Sequence, residues 1–257
     1  MGRKSRLKKE RNYLKNKGDV NKDNVWEGRE PQKLNKESPP IFPSPIKDSE
    51  SVYRFFKEEW QAESLCGGRV WISTLEACRA YEDPLQGDSG EATHTYNSGY
   101  AAGDSTDLNL LEIAARSGVR IGKNCSNIVV DGNISVQLLR DAFVLCTTRE
   151  YNPQMLNDTF GMYCVEISNP NVFFEEVTKE LNKITSLRSS HMGEVIYSSR
   201  EYSGLDNPPG KIGFVKPADL YSSQKEFRFL WEPQGNEPIK PTLVSCPTIT
   251  ELCKRIS

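Results

Sequence analysis

The sequence predicts an α+β fold on a mixed, largely antiparallel sheet with flanking helices. Three observations carry that expectation. Short segments of strand character recur along the chain, among them "RVWISTL" at 69–75, "AFVLCTT" at 142–148 and "FGMYCVEI" at 160–167. Few segments have helical periodicity; the clearest is "NVFFEEVTKELNKI" at 171–184, apolar at Val172, Phe173, Val177, Leu181 and Ile184. Strands and helices also do not alternate one for one, as a parallel βαβ sheet would require.

In chain order, residues 1–47 show no apolar periodicity and carry five prolines between 30 and 48. They read as a basic, disordered arm and linker ahead of a single domain over 48–257. "SVYRFF" at 51–56 reads as a short strand or the start of a helix. "RVWISTL" follows the Gly67-Gly68 turn, and "EACRAYED" reads as a helical turn after it. The stretch 84–105 is rich in glycine and small polar residues and reads as a long mobile loop. "TDLNLLEIAARSG" is a helix, capped by Thr106 or Asp107 and closed by Gly118. "NIVVDGNIS" carries an Asp-Gly turn signal and reads as a hairpin. "EVIYSS" at 194–199 and "YSSQKEFRFLW" at 221–231 read as strands, and "TITELCKRI" at 248–256 as a closing helix with Thr248 and Glu251 in a capping box. In the 221–231 strand, Phe227, Phe229 and Trp231 share one face with Lys225, and Gln224, Glu226 and Arg228 share the other.

Composition narrows the function. No run approaches the ~18 apolar residues of a membrane span, and the charged N-terminus lacks a signal peptide's apolar core, so a cytoplasmic location is expected. Cys66, Cys78, Cys125, Cys146, Cys164, Cys246 and Cys253 contain no C-x-x-C pair and read as reduced thiols. With His94 and His191 the only histidines, a His-rich metal site is not expected. "GDSG" at 87–90 has no histidine in a context to serve as base, so a serine-protease triad is set aside. There is no Rossmann glycine fingerprint, P-loop or H-E-x-x-H. The net charge of −2 hides an asymmetry: residues 1–17 hold eight Lys/Arg and one acidic residue, whereas the remainder is acidic on balance. The segment Arg3–Lys17 is therefore a handle for RNA, DNA, a ribosome or an acidic partner, or else a solubilising tail. Oligomeric state is left open.

One constellation stands out on the predicted strands. Tyr53-Arg54 lies in "VYRFF", Trp71-Ile72-Ser73-Thr74 in "VWIST", and Gln224-Lys225-Glu226 on the late strand. This order resembles the Arg–Ser–Glu constellation of ADP-ribosyltransferases, and so implies a sheet core of that type. In that family the Arg grips the NAD phosphates, the Ser-Thr supports the nicotinamide end, and the last Glu is catalytic. The second and third motifs lie roughly 150 residues apart here, much farther than in the toxins of the family. That layout is closer to the DarT-like branch, where an Arg after the second strand is catalytic and the Glu comes far downstream; Arg79 takes that place. The chain also resembles a group of little-characterised bacterial domains, through "STLEACRAYEDP", the "FG-x-x-x-V-E-I" strand, and Phe214, Lys216-Pro217, Tyr221, Gln224, Glu226 and Arg228.

The resemblance implies an NAD-using toxin or phage-defence effector of bacterial or phage origin, acting on a nucleic acid or protein or hydrolysing NAD, with no metal. Glu226, Arg79 and Gln224 become the catalytic candidates. Arg54, Ser73, Thr74, Trp71, Tyr53 and Tyr81 become the NAD-binding candidates, with Asp88 and Glu91 on the loop over the cleft. Chemistry fits these residue types. A carboxylate stabilises an oxocarbenium-like ribose, Arg forks onto a pyrophosphate, and aromatic rings wall a cofactor. Two rivals stand beside it: a non-catalytic nucleic-acid or ribosome-associated binding protein, and a nuclease holding a metal ion on Asp83, Asp88 and Glu91.

Overall fold

The computed structural model describes residues 50–83 and 86–257. The basic arm and linker expected over 1–47 lie outside the described residues. The chain opens with β1 (Val52–Phe56), α1 (Glu59–Cys66), β2 (Arg69–Thr74) and α2 (Leu75–Arg79). A ribbon follows, made of β3 (Thr93–Asn97), β4 (Tyr100–Gly103), α3 (Leu108–Arg116), β5 (Ile128–Asp131) and β6 (Ile134–Leu138). Next come β7 (Phe143–Thr148), α4 (Pro153–Phe160), β8 (Tyr163–Ile167), α5 (Pro170–Ile184) and β9 (Leu187–Glu194). The last third holds β10 (Ile196–Tyr197), β11 (Glu201–Ser203), β12 (Val215–Lys216), α6 (Ala218–Tyr221), β13 (Glu226–Pro233), β14 (Thr242–Ser245) and β15 (Cys253–Arg255).

The main sheet has eight strands and only antiparallel pairs, with β14-β2-β7-β1-β8-β15 as one run and β13 then β9 beyond the other edge of β7. Among the described residues, parallel pairing is confined to β10 with β12 and β11 with β3. The fold is thus mixed α and β with mostly antiparallel sheet.

Strand β7 is the pivot. One of its edges pairs with β13 along its whole length, Phe143 to Trp231 through Thr148 to Glu226. Its other edge is shared: β2 takes Phe143 and Val144, and β1 takes Thr148. Between those two pairings, residues 145–147 have a ladder partner only on the β13 side. The sheet is split there, and the split makes a cleft.

Alternation along β13 separates two environments. Phe227, Phe229 and Trp231 join the largest apolar cluster, against Phe143, Leu145, Phe173, Val177 and Leu181. Helix α5 supplies three of these at a spacing of four, and it starts where Asn169 accepts a bond from the Val172 N–H at 3.2 Å, just before Pro170. The Trp231 indole N–H donates to Thr178 Oγ1 at 2.7 Å, so this large ring is buried without an orphaned donor. Of the apolar positions expected to face the core from α5, Val172 and Ile184 are exposed.

Gly161, in the "FG" of the β8 motif, has φ 107° and ψ 167°, a region essentially reserved for glycine. A Cβ there would lie 2.0 Å from the Phe56 carbonyl oxygen. Gly161→Ala is expected to cost about 2–3 kcal/mol of unfolding free energy, measurable as a lower urea midpoint at unchanged slope. An unchanged midpoint would refute this account of the motif.

Several expectations are corrected. The stretch 84–105 is not one long loop. It contains β3 and β4, because Thr93–Asn97 pairs with Ile134–Leu138 and turns His94 and Tyr96 inward. Asp131-Gly132 does connect β5 to β6, but the two do not pair with each other; β5 pairs with β4 and β6 with β3. Residues 194–199 divide between the end of β9 and the short β10. Strand β13 starts at Glu226, since Tyr221 ends α6, Ser222–Gln224 is a 3₁₀ turn, and Lys225 adopts a left-handed φ of 46°. The C-terminal segment is a 3₁₀ turn over Pro247–Leu252 leading into β15, not an α-helix. Helices α1 and α4 and most of β9 had no clear periodic signal.

Candidate functional site

The cleft at the split has a volume of about 350 Å³, within the range of small-molecule sites. Tyr53, Arg54, Trp71, Ser73, Tyr81, Gln224 and Glu226 all line it. These seven come from four separate parts of the chain, and the split brings them together. From β7 come Cys146 and Thr148, which alternate onto the face that also carries Glu226 and Arg228. Trp71 and Tyr81 are 55% and 59% exposed, so they stand as open rings on its wall.

Glu226 is 4% exposed. The left-handed Lys225 ends the preceding 3₁₀ turn, and the Glu226 backbone N–H donates to Tyr197 Oη at 2.7 Å. Its carboxylate is held by two cations: Arg228 Nη2 at 2.7 Å from Oε1, and Lys216 Nζ at 2.7 Å from Oε2. Glu91 completes the set, accepting from Arg228 Nη1 at 2.7 Å and lying 3.9 Å from Lys216 Nζ. Arg228 also donates to the Gly213 carbonyl at 2.6 Å. Two carboxylates and two cations make this buried quartet neutral. Burial alone would push the Glu226 carboxyl up; Arg228 and Lys216 outweigh it and bring the carboxyl down to about 2. Burial likewise pushes Lys216 down, and Glu226 more than reverses this, so its ammonium is held above the usual lysine range. Lys216 also sits 4.8 Å from the centre of the Tyr221 ring, whose hydroxyl donates to the Gly87 carbonyl at 3.0 Å. Of the Phe214–Arg228 motif, Gln224 and Glu226 line the cleft, Lys216, Glu226 and Arg228 form the quartet with Glu91, and Phe214 and Tyr221 are buried nearby.

Arg54 is the contrasting group. Its Nη1 is buried with no hydrogen-bond partner, and among the described residues no carboxylate pairs with it. Burial pulls it down to about 10, so it stays charged at neutral pH. Its guanidinium lies 5.3 Å from the centre of the Phe56 ring. A buried cation without a counter-charge is costly in an isolated chain. On a cleft wall such a group has the chemistry to take an anion.

Four expected site residues are not in the cleft. Thr74 caps α2, its Oγ1 accepting from the Ala77 N–H at 3.2 Å. Arg79 donates Nε to the Glu91 carbonyl at 3.0 Å and Nη2 to the Leu139 carbonyl at 3.1 Å, tying the ribbon to the sheet. Asp88 and Glu91 are buried rather than poised on a mobile loop: Asp88 forms a two-point pair with Arg200, and Glu91 belongs to the quartet. Among the described residues, no group of three or more His, Cys, Asp or Glu is placed to hold a metal ion.

The sequence did not single out Cys146, Cys78, Lys216 or Tyr197 as site residues. Cys146 opens onto the cleft in the middle of the split. Its thiol is pushed up by the protein packed around the cleft and by Glu226, and that of the half-buried Cys78 is raised by burial. The signal for Cys146 was present in the alternation Val144, Cys146, Thr148. Comparison with family models, curated proteins and solved structures finds no match to this chain, so the site rests on its own geometry.

Proposed function

We propose that the cleft binds NAD and that the protein transfers ADP-ribose from it to a macromolecule or to water. The observation that carries this reading is the unpaired Arg54 guanidinium, with its Nη1 buried, in the same cleft as a carboxylate locked in its ionised form. Arg54 takes the pyrophosphate through a fork of N–H donors. The open rings of Trp71 and Tyr81 take the base or the nicotinamide. In the transfer, the bond between ribose C1′ and nicotinamide breaks with its electron pair leaving on nicotinamide. The acceptor's oxygen or nitrogen bonds to C1′ and its proton passes to solvent. Glu226, at about 2, is no proton acceptor at neutral pH; it supplies fixed negative charge beside the cationic sugar. Gln224, also on the cleft wall, orients the sugar or the acceptor.

A second reading has its own support. Both Glu226 oxygens already accept from Arg228 and Lys216, which suits a protein that binds a nucleotide or nucleic acid without turning it over. Incubation of the purified chain with adenylate-labelled NAD, alone and with cell extract, separates the two. Nicotinamide release with label on a macromolecule, or with free ADP-ribose, is the expected result. Saturable NAD binding without nicotinamide release in either setting would replace the transferase by the binding protein.

A further inference from the structure

We infer that β6 is a self-association edge, on which two copies of this chain pair antiparallel about Val136. This rests on the ribbon and not on the cleft chemistry. Among the described residues β6 pairs only with β3, whose far side is taken by β11, so the other edge of β6 has its backbone groups open. Such an edge is a template for another strand unless it is guarded. β6 has no guard: "ISVQL" contains no proline, lysine or other charge, and its register against β3 runs without a bulge. On its outer side, Ile134, Val136 and Leu138 are 68%, 64% and 58% exposed.

The occupant is argued from the strand's own order. Antiparallel pairing about Val136 sets Val136 opposite Val136, Ile134 opposite Leu138, and Ser135 opposite Gln137. Apolar residues then meet apolar ones on one face and polar meets polar on the other, as the two-fold symmetry of an isologous contact requires. The nearest charges on either side of the strand are Asp131 and Arg140, of opposite sign. The same pairing places Arg140 of each copy opposite Gly132 of the other, next to Asp131. The joined ribbons make one six-stranded sheet with a continuous apolar stripe, and both open edges of β6 are closed.

Sedimentation of the full chain over a range of concentrations should show a monomer–dimer equilibrium. Val136→Lys sets two ammonium groups face to face at the symmetry axis and should weaken the dimer at least tenfold. The site is exposed, so circular dichroism should not change, nor should the melting temperature at concentrations where the wild type is monomeric. Val136→Cys, treated with a short thiol crosslinker and mapped by mass spectrometry, should link position 136 of one copy to position 136 of another. A monomer at every concentration overturns the inference. So does a dimer indifferent to Val136→Lys, or crosslinks that never join 136 to 136, since the open edge would then belong to another partner or another segment.

Discussion

Glu226→Gln will remove nicotinamide release and also lower the unfolding free energy by about 3–5 kcal/mol, the cost of breaking a buried ion pair from one side. Assigning Glu226 to a site and not to the core leads one to expect that this change would spare the fold. The structure says otherwise, because Arg228 and Lys216 would be left buried with only Glu91 to balance them. The pH dependence carries the same signature. A free glutamate titrates near 4.5 and Glu226 near 2, so the folded state favours the ionised form. That contribution, about 3 kcal/mol, is complete above pH 5 and is lost as the pH falls through 2. In urea titrations, the wild type should weaken steeply between pH 5 and pH 2, and the Gln variant should show a shallower decline from a lower start. Activity is compared well below both melting temperatures, so that loss of chemistry is not mistaken for loss of fold. A variant with wild-type stability and turnover would remove Glu226 from both roles.

The sheet was readable where aromatic and β-branched residues cluster in a short run, as in "AFVLCTT" and "EFRFLW", although both strands are buried on their two faces. The ribbon was not, because β3 is "THTYN", whose small polar residues are as common in turns as in strands. It is a strand because β6 and β11 pair with it. The site was readable in part for a related reason. Residue types that chemistry requires, such as Arg54, Ser73 and Glu226, announce themselves by being odd on a strand. Whether a charge faces a ligand or another charge depends on contacts far apart in sequence. Arg54 and Arg79 look alike as letters, yet one is left without a partner on a cleft wall and the other spans two backbone carbonyls. Lys216 stands within a recognisable motif, but its bond to Glu226 exists only because β12 and β13 are brought together.

Arg54→Met will behave in the opposite way to Glu226→Gln. Its side chain is part-buried, lacks a protein counter-charge among the described residues and has a buried, orphaned Nη1. Replacing it with an apolar side chain of similar reach removes a desolvation cost without stranding a partner, so stability should hold or rise by about 1 kcal/mol. The ligand loses the cation whose Nη1 is buried and unpartnered on the cleft wall. A charged hydrogen bond to phosphate contributes about 2–3 kcal/mol, which at 1.4 kcal/mol per tenfold gives roughly a hundredfold weaker binding of NAD or ADP-ribose by calorimetry. Arg54→Lys keeps the charge but loses the fork, and should fall between the two. Nicotinamide carries no phosphate, so the affinity of the free base should be indifferent to either change. The combination matters more than either number: a group held for folding loses stability when it is removed, whereas a group held for a ligand loses only the ligand. An Arg54→Met chain that unfolds more easily and still binds ADP-ribose would make Arg54 part of the scaffold and remove the anion seat on which the NAD reading stands.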